Sequence, residues 1–182
     1  MENYFKKETF YNIGQDLFKD LEKGEDLTIA LSGEETTYIR FNGAKVRQSL
    51  NVLQGDFIMT LNSKSRTASL MVGFADCQEE DSYQTNLNRL KDGLKELRIE
   101  TSTLPEDPYL VPTENHGQYE KEHEGSLPST NELIENILGE NQGIDFVGVY
   151  SGGRLLRANL NSKGQKQWFS TINFLVDFSL YD

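Results

Sequence analysis

Apolar residues recur at helical spacing near the start of the chain. Phe10, Ile13, Leu17 and Leu21 follow one another every three or four positions between residues 8 and 22, which is the spacing of one helix face. Lys23-Gly24 comes next, and glycine is a common residue just after a helix. The pattern predicts an amphipathic helix over 8–22.

The period then changes from helical spacing to two, which is typical of half-buried strands. Alternating apolar residues occupy 27–31, 38–41, 46–52, 57–61 and 68–74. Asn42-Gly43 separates two of these runs, and both residues tolerate the positive φ of a type I′ hairpin turn. Residues 62–65 separate another two. We therefore expect antiparallel hairpins in this part of the chain.

A second helical stripe follows the acidic residues 79–81, which would lie at the positive end of the helix dipole. Its members are Tyr83, Leu87, Leu90, Leu94 and Leu97. Residues 1–100 therefore predict a module with a helix, an antiparallel sheet and a second helix.

The four prolines, at 105, 108, 112 and 128, fall in an acidic stretch without apolar periodicity. Proline removes a backbone donor and favours extended neighbours. Long irregular segments are uncommon inside compact domains. We therefore interpret residues 101–128 as an extended or disordered linker.

Residues 129–182 predict a second small module. Ser129 and Glu132 form a capping box, followed by a short helix with Leu133, Ile134, Ile137 and Leu138 on one face. Residues 146–150 and 155–159 are interpreted as strands joined by a turn at Gly152-Gly153, and residues 161–164 as the next turn. The fold class is α+β, an antiparallel sheet flanked by helices and followed by a second α+β module.

The last strand alternates strictly from Ile172 to Leu180 and so has one fully apolar face. Such a strand needs a partner. Either it closes the sheet, or the protein continues and residues 129–182 are an incomplete middle module.

Charge and composition exclude several classes of protein. The chain has 18 Lys+Arg against 29 Asp+Glu, a net charge of -11, and a pI near 4.7. This acidity argues against direct nucleic-acid binding. The apolar runs are too short to cross a bilayer or to form a signal peptide, and the single Cys77 suits a reducing compartment. We expect a cytoplasmic protein without membrane contact.

The residues supply no catalytic or metal-binding constellation. His123-Glu124 begins like a helical zinc motif, but Leu127 stands where the second histidine is needed and Pro128 would end the helix. The carboxylates near Cys77 discourage thiolate chemistry. We assign no catalytic and no metal residue, and expect His116 and His123 to be solvated.

Two groups of motifs resemble the TldD/PmbA family. Residues 38–49, Y-I-R-F-N-G-A-K-V-R-Q-S, resemble its N-terminal signature of an R-F-x-N-like strand, a short turn and an R-Q-S-like strand. Residues 146–153, F-V-G-V-Y-S-G-G, then N-S-K-G at 161–164, Trp168 and D-F-S-L-Y at 177–181, resemble the order of its middle segment. The resemblance extends from about residue 38 onward.

The resemblance implies a cytosolic peptidase-type protein, of a family also called modulators of DNA gyrase. It implies dimers in which a catalytic partner holds zinc through an H-E-x-x-x-H helix and a later cysteine and cleaves unfolded peptides. This chain has no H-E-x-x-x-H. We therefore expect no cofactor here, and zinc only in a full-length protein or in a partner subunit.

By this resemblance the chain is the N-terminal portion of such a protein, inactive alone, contributing scaffold, dimerisation or peptide admission. The partner would be a second copy or a paralogue, and the substrate an unfolded peptide. Arg40, Asn42 and Arg47, at the hairpin that carries the resemblance, are the candidate interaction residues. The alternative is a small acidic chaperone-like module that binds an unfolded partner segment and has no enzymatic role.

Overall fold

The α+β fold class is confirmed. The computed structural model describes residues 5–74, 82–141 and 143–181. Its elements are α1 (Lys7–Phe18), β1 (Glu25–Phe41), β2 (Val46–Ser63), β3 (Arg66–Gly73), α2 (Ser82–Thr103), β4 (Gln118–His123), α3 (Thr130–Glu140), β5 (Asp145–Asn161) and β6 (Lys166–Tyr181). One six-stranded sheet has the order β3-β2-β1-β5-β6-β4. Within the described ranges, no helix is long and apolar enough to cross a membrane.

The strands are longer than the sequence indicates. β1 and β2 have 17 and 18 residues, and each joins two runs that were separated by polar residues and glycine. Gly33 and Gly55 do not interrupt them. A Cβ at Gly33 would lie 2.7 Å from the Phe5 ring, and one at Gly55 would lie 2.8 Å from it. Glycine is required here because Phe5 packs against the strand backbones.

The predicted turn at Gly152-Gly153 is wrong. Both residues lie inside β5, which runs without interruption for 17 residues. A Cβ at Gly153 would overlap the backbone carbonyl oxygen of Glu35, and one at Gly152 would overlap the Tyr150 hydroxyl. The two glycines allow neighbouring groups to approach the β5 backbone closely, and they do not reverse the direction of the chain.

Contacts divide the chain into two units. Unit one comprises Met1–Gly33, Gln54–Lys121 and Leu156–Phe169. Its core contains the predicted stripes of both helices, together with Trp168 and the inward residues of β1, β2 and β5. Phe10, Ile13 and Leu17 of α1 are buried, and so are Leu87, Leu90, Leu94 and Leu97 of α2. The predicted hairpin at 62–65 is confirmed, with Ser63 opposite Arg66.

Unit two comprises Glu34–Leu53, Glu122–Leu155 and Ser170–Asp182. The four predicted apolar residues of α3 pack on a small core of Ile39, Phe41, Phe146 and Tyr150. The capping box is present: Ser129 N–H donates to Glu132 Oε2 at 2.8 Å, and Glu132 N–H donates to Ser129 Oγ at 3.3 Å. Hydrogen bonds to the Glu132 carboxylate from the Ser129 side chain, and then from the Ser129 backbone N–H, lower the pKa of Glu132.

Residues 101–128 contain more structure than the predicted linker. α2 continues to Thr103 and β4 occupies Gln118–His123. Between them, Asp107 N–H donates to the Ser65 carbonyl at 2.8 Å, and Asn161 Nδ2 donates to the Glu114 carbonyl at 2.7 Å. These bonds tie the proline-containing segment to unit one. The units differ from the expected ranges 1–100, 101–128 and 129–182, because β1, β2, β5 and β6 each pass from one unit into the other.

Two sequence predictions concern residues outside the described ranges. They are the acidic residues 79–81 ahead of α2, and Cys77.

Candidate functional site

The hairpin residues Arg40, Asn42 and Arg47 are all exposed, at the β1–β2 turn of unit two. The turn differs by one residue from the prediction. Gly43 and Ala44 are its central residues, with φ of 58° and 50°, and Asn42 N–H donates to the Lys45 carbonyl at 2.9 Å. Ala44 N–H donates to the Phe146 carbonyl at 3.1 Å, which fixes the turn against β5. An interaction role for the three side chains stays a prediction.

A second surface of unit two is the distal β6 segment, residues 173–181. Every residue in it is exposed, although four alternate positions are large and apolar: Phe174, Val176, Phe178 and Leu180. On the other side of the strand, Leu175 and Tyr181 are also exposed. Phe178 packs on Phe146 of β5, with ring centroids 5.7 Å apart. The segment is therefore an ordered strand whose apolar face has solvent beside it.

Unit one contains a groove of about 480 Å³ on the sheet face opposite the helices. Leu27, Ile29 and Leu31 of β1 point into the core with α1 and α2, so the alternate residues Ala30 and Ser32 point the other way. The groove residues are Ala30, Leu31, Ser32, Ile58, Tyr119, Arg157, Ala158, Asn159, Gln167, Trp168 and Phe169. They come from five strands of the sheet.

β4 supplies one wall of the groove through Tyr119, and an ion pair ties this strand to α1. Lys7 Nζ lies 2.6 Å from Glu120 Oε2. Burial, and then the negative charge of Glu120, raise the pKa of Tyr11 to about 12. Because Tyr119 and Glu120 are neighbours in a strand, they face opposite sides of the sheet. The ion pair on the helix side therefore holds Tyr119 on the groove side.

A buried glutamine orders the polar side chains of the groove. His116 backbone N–H donates to Gln165 Oε1 at 3.2 Å. Gln165 Nε2 donates in turn to Asn159 Oδ1 at 2.6 Å and to Gln167 Oε1 at 3.4 Å. The oxygens of Asn159 and Gln167 are thus used within the protein, and their NH₂ groups remain as donors.

Arg157 is the cation of the groove, and it is exposed. Its Nη1 donates to the adjacent Leu156 carbonyl at 2.7 Å. In the part of the chain that the structure describes, no carboxylate pairs with this guanidinium. A guanidinium carries five N–H donors in a planar fork, so most of its donors face solvent.

The residues present do not fit the zinc site that the family resemblance implies. The 182 residues contain no H-E-x-x-x-H sequence. Residues 5–74, 82–141 and 143–181 hold no group of three or more His, Cys, Asp or Glu side chains placed to bind a metal ion. We therefore derive no chemical step through zinc in this chain.

The groove was not predicted from the sequence. The available signal was the alternation of polar and apolar residues in β5 and β6, which puts Arg157, Asn159 and Gln167 on the face opposite Leu156, Ala158 and Trp168. That signal does not show which strands lie side by side. The groove depends on the pairing of distant parts of the chain.

No family model matches the chain, and no curated protein matches it. Solved structures do match over nearly its whole length. TldE from Thermococcus kodakarensis matches with a TM-score of 0.59 and 12% identity, over 94% of this chain and 42% of its own. A proposed modulator of a DNA gyrase from Thermotoga maritima matches with a TM-score of 0.63 and 10% identity, over 92% of this chain and 38% of its own.

A third structure, a proposed modulator of DNA gyrase from Bacteroides thetaiotaomicron, has a TM-score of 0.55 and 15% identity, over 96% of this chain and 39% of its own. The chain thus spans about two-fifths of the length of the structures it matches. At these low sequence identities, the structural similarity establishes the fold of this chain. The resemblance to the TldD/PmbA family is confirmed at that level.

Proposed function

We propose that this chain is a non-catalytic scaffold module of the TldD/PmbA type that pairs with a second protein chain through the distal β6 segment. The partner is a second copy or a paralogue. The proposal is supported by the shared fold, which covers more than nine-tenths of the chain. The observation that carries it is the row of exposed apolar side chains on β6.

The physical argument for pairing is the unfavourable free energy of exposing these apolar side chains of β6 to water. Phe174 is 66% exposed and Phe178 56% exposed. Removing half of a large apolar side chain from water contributes on the order of 1 kcal/mol. Several such side chains on one strand offer the apolar centre that protein interfaces usually have. A contiguous exposed patch of this kind is typical of an interaction site.

In this assembly we assign scaffolding and the admission of an unfolded peptide to this module. Zinc and peptide hydrolysis belong to another part of a full-length protein or to the partner subunit, since this chain lacks the motif that would hold the metal. We place the assembly in the cytoplasm, on the strength of the family resemblance and the single cysteine.

Sedimentation velocity tests the pairing. We expect the wild-type chain to form a dimer, and Phe174→Glu to weaken it at least about tenfold, because a carboxylate would be desolvated in the interface. Met71→Glu is the matched control: Met71 is 63% exposed on β3, in unit one, and its substitution should leave association unchanged.

A wild-type chain that stays monomeric, or a Phe174→Glu variant that pairs as well as wild type, would contradict pairing through β6. Zinc-dependent peptide hydrolysis by this chain would contradict the non-catalytic assignment.

A second candidate function is a chaperone-like module that holds an unfolded segment. It is favoured by a further set of exposed apolar residues in unit two, Val46, Leu50 and Leu53 of β2, on a chain of net charge -11 that would keep a client soluble. The two functions differ in one observable. The chaperone-like module would remain a monomer and slow the aggregation of an unfolded client, and Phe174→Glu would reduce that effect.

A further inference from the structure

We propose that unit one carries a binding groove for a small monocarboxylate with an apolar body, in which Arg157 binds the carboxylate. This site lies on the open sheet face of unit one, so the inference does not rest on pairing through β6.

The size and lining of the groove suit a small molecule. Its volume of about 480 Å³ falls within the roughly 300–1,000 Å³ of typical ligand sites. Ile58, Phe169 and Tyr119 supply large apolar surface, and Ala30 supplies a low floor on the sheet. Such sites are mostly apolar with a few convergent polar groups. An alkyl or aromatic body fits the apolar part.

The polar groups converge as donors. The oxygens of Asn159 and Gln167 accept from Gln165 Nε2, and Gln165 is itself 94% buried, with a relative exposure of 6%. The bond from the His116 backbone to Gln165 Oε1 fixes which end of that amide is the donor. The amide NH₂ groups of Asn159 and Gln167 are consequently left as donors in the groove that Arg157 also lines, so the groove offers donors to an acceptor on a ligand.

The electrostatics favour an anion at Arg157. Seven other cations in the described part of unit one have an acidic partner: Lys7, Lys19, Arg66, Lys91, Lys95, Arg98 and Lys163. Arg157 has no such partner there, although the protein carries 29 acidic residues. A guanidinium fork matches a carboxylate in bidentate geometry, and such bonds are about twice as strong as neutral ones.

The same charges favour a monoanion over a phosphate. One guanidinium and two neutral amides balance one negative charge. A dianionic phosphate would need further cations, and it would approach against the field of a protein with net charge -11. We therefore assign the groove to a monocarboxylate.

Isothermal titration calorimetry with phenylbutyrate tests the assignment. We expect saturable one-to-one binding with a Kd below about 10 mM. Two probes separate the contributions: phenylbutanol keeps the apolar body without the charge, and butyrate keeps the charge with little apolar body. Each should bind at least about fivefold more weakly than phenylbutyrate.

The decisive variant is Arg157→Gln, which keeps a polar side chain and removes the charge. We expect this substitution to weaken the binding of phenylbutyrate at least about tenfold and to leave the affinity for phenylbutanol unchanged. Arg40→Gln is the matched control, an exposed arginine of β1 in unit two, and should bind as wild type does. Because Arg157 is exposed, circular dichroism should show both variants folded.

Three results would overturn the proposal. The first is no saturable binding of phenylbutyrate up to about 10 mM. The second is equal affinity for phenylbutyrate and phenylbutanol. The third is a folded Arg157→Gln variant that binds phenylbutyrate as tightly as the wild-type chain.

Discussion

At the scale of single residues, glycine marks the places where another group approaches the backbone. Gly153 lies inside β5, and a Cβ there would be 2.7 Å from Thr36 Cα and would overlap the Glu35 carbonyl. Backbone atoms cannot rotate away as a flexible side chain can. A side chain at 153 would therefore force the backbones of β5 and β1 apart within unit two.

We expect Gly153→Ala to lower the free energy of unfolding by about 2–3 kcal/mol, because the methyl group overpacks against backbone. Urea denaturation measures the change. Gly139→Ala is the control in the same unit: Gly139 is exposed in α3 with nothing within 4 Å of an added Cβ. Alanine there should stabilise by up to about 1 kcal/mol. Equal stability of Gly153→Ala and wild type would contradict the close approach.

The wrong prediction of a turn at Gly152-Gly153 has a physical reason. A glycine pair between two apolar runs is compatible with a turn and with a close approach, and sequence alone does not show what lies beside it. The same limit applies at the first hairpin, where Ala44 takes a φ of 50°. Asn42-Gly43 indicated the correct hairpin but not the central pair.

At the scale of elements, local signals predicted the helices well and the strands less well. A capping box and an apolar stripe are interactions between residues a few positions apart, so α3 and both stripes of unit one could be read from the sequence. Strand length depends on distant partners. β1, β2 and β5 continue through polar and glycine positions because neighbouring strands or Phe5 accommodate them.

An ion pair joins α2 to the start of β1. Arg98 Nε donates to Glu25 Oε1 and Nη2 donates to Oε2, each at 2.8 Å, and the Glu25 side chain is only 6% exposed. Hydrogen bonds from Arg98, ahead of all other causes, lower the pKa of Glu25 from its ordinary value of 4.5. The carboxylate form is therefore the one that the folded state prefers.

The stability from Glu25 is fully present above its ordinary pKa of 4.5 and is lost as the pH falls through the lowered value in the folded protein. We expect Glu25→Gln to cost about 1–2 kcal/mol at neutral pH, because Arg98 loses its bidentate partner, and to flatten the acid side of the stability profile. Urea denaturation from pH 7 to about pH 3 measures both effects.

Asp92→Asn is the control for Glu25→Gln. The Asp92–Lys95 pair is exposed, with side chains 71% and 69% accessible. Its loss should change the unfolding free energy by no more than about 0.5 kcal/mol. An acid profile of Glu25→Gln that is identical to that of wild type would show that the ion pair does not contribute.

At the scale of the whole molecule, the candidate sites depend on how distant segments assemble. The groove brings together strands that lie between positions 30 and 169, and no local pattern specifies that assembly. The distal β6 segment could be read more directly, because the strict alternation from Ile172 to Leu180 already indicated an apolar strand face in need of a partner. Exposure of that face is what the structure adds.

Because the chain has a high net charge, the effect of salt on dimerisation tests which surface forms the dimer interface. Two copies with a net charge of -11 repel each other, and added salt screens that repulsion, since the Debye length falls from about 30 Å at 0.01 M to about 10 Å at 0.1 M. The apolar contact at β6 is not weakened by screening. We expect the dimer Kd from sedimentation velocity to fall severalfold between about 0.02 and 0.3 M NaCl.

The opposite dependence would identify the other candidate surface. If Arg40 and Arg47 of the hairpin carried the association by pairing with acidic residues of a second copy, salt would screen the attraction and weaken the dimer. Arg47→Glu would then abolish pairing. If the chains instead pair through β6, Arg47→Glu should leave the dimer Kd within about twofold of wild type. A dimer that weakens with salt and is lost in Arg47→Glu would move the interface from the distal β6 segment to the hairpin.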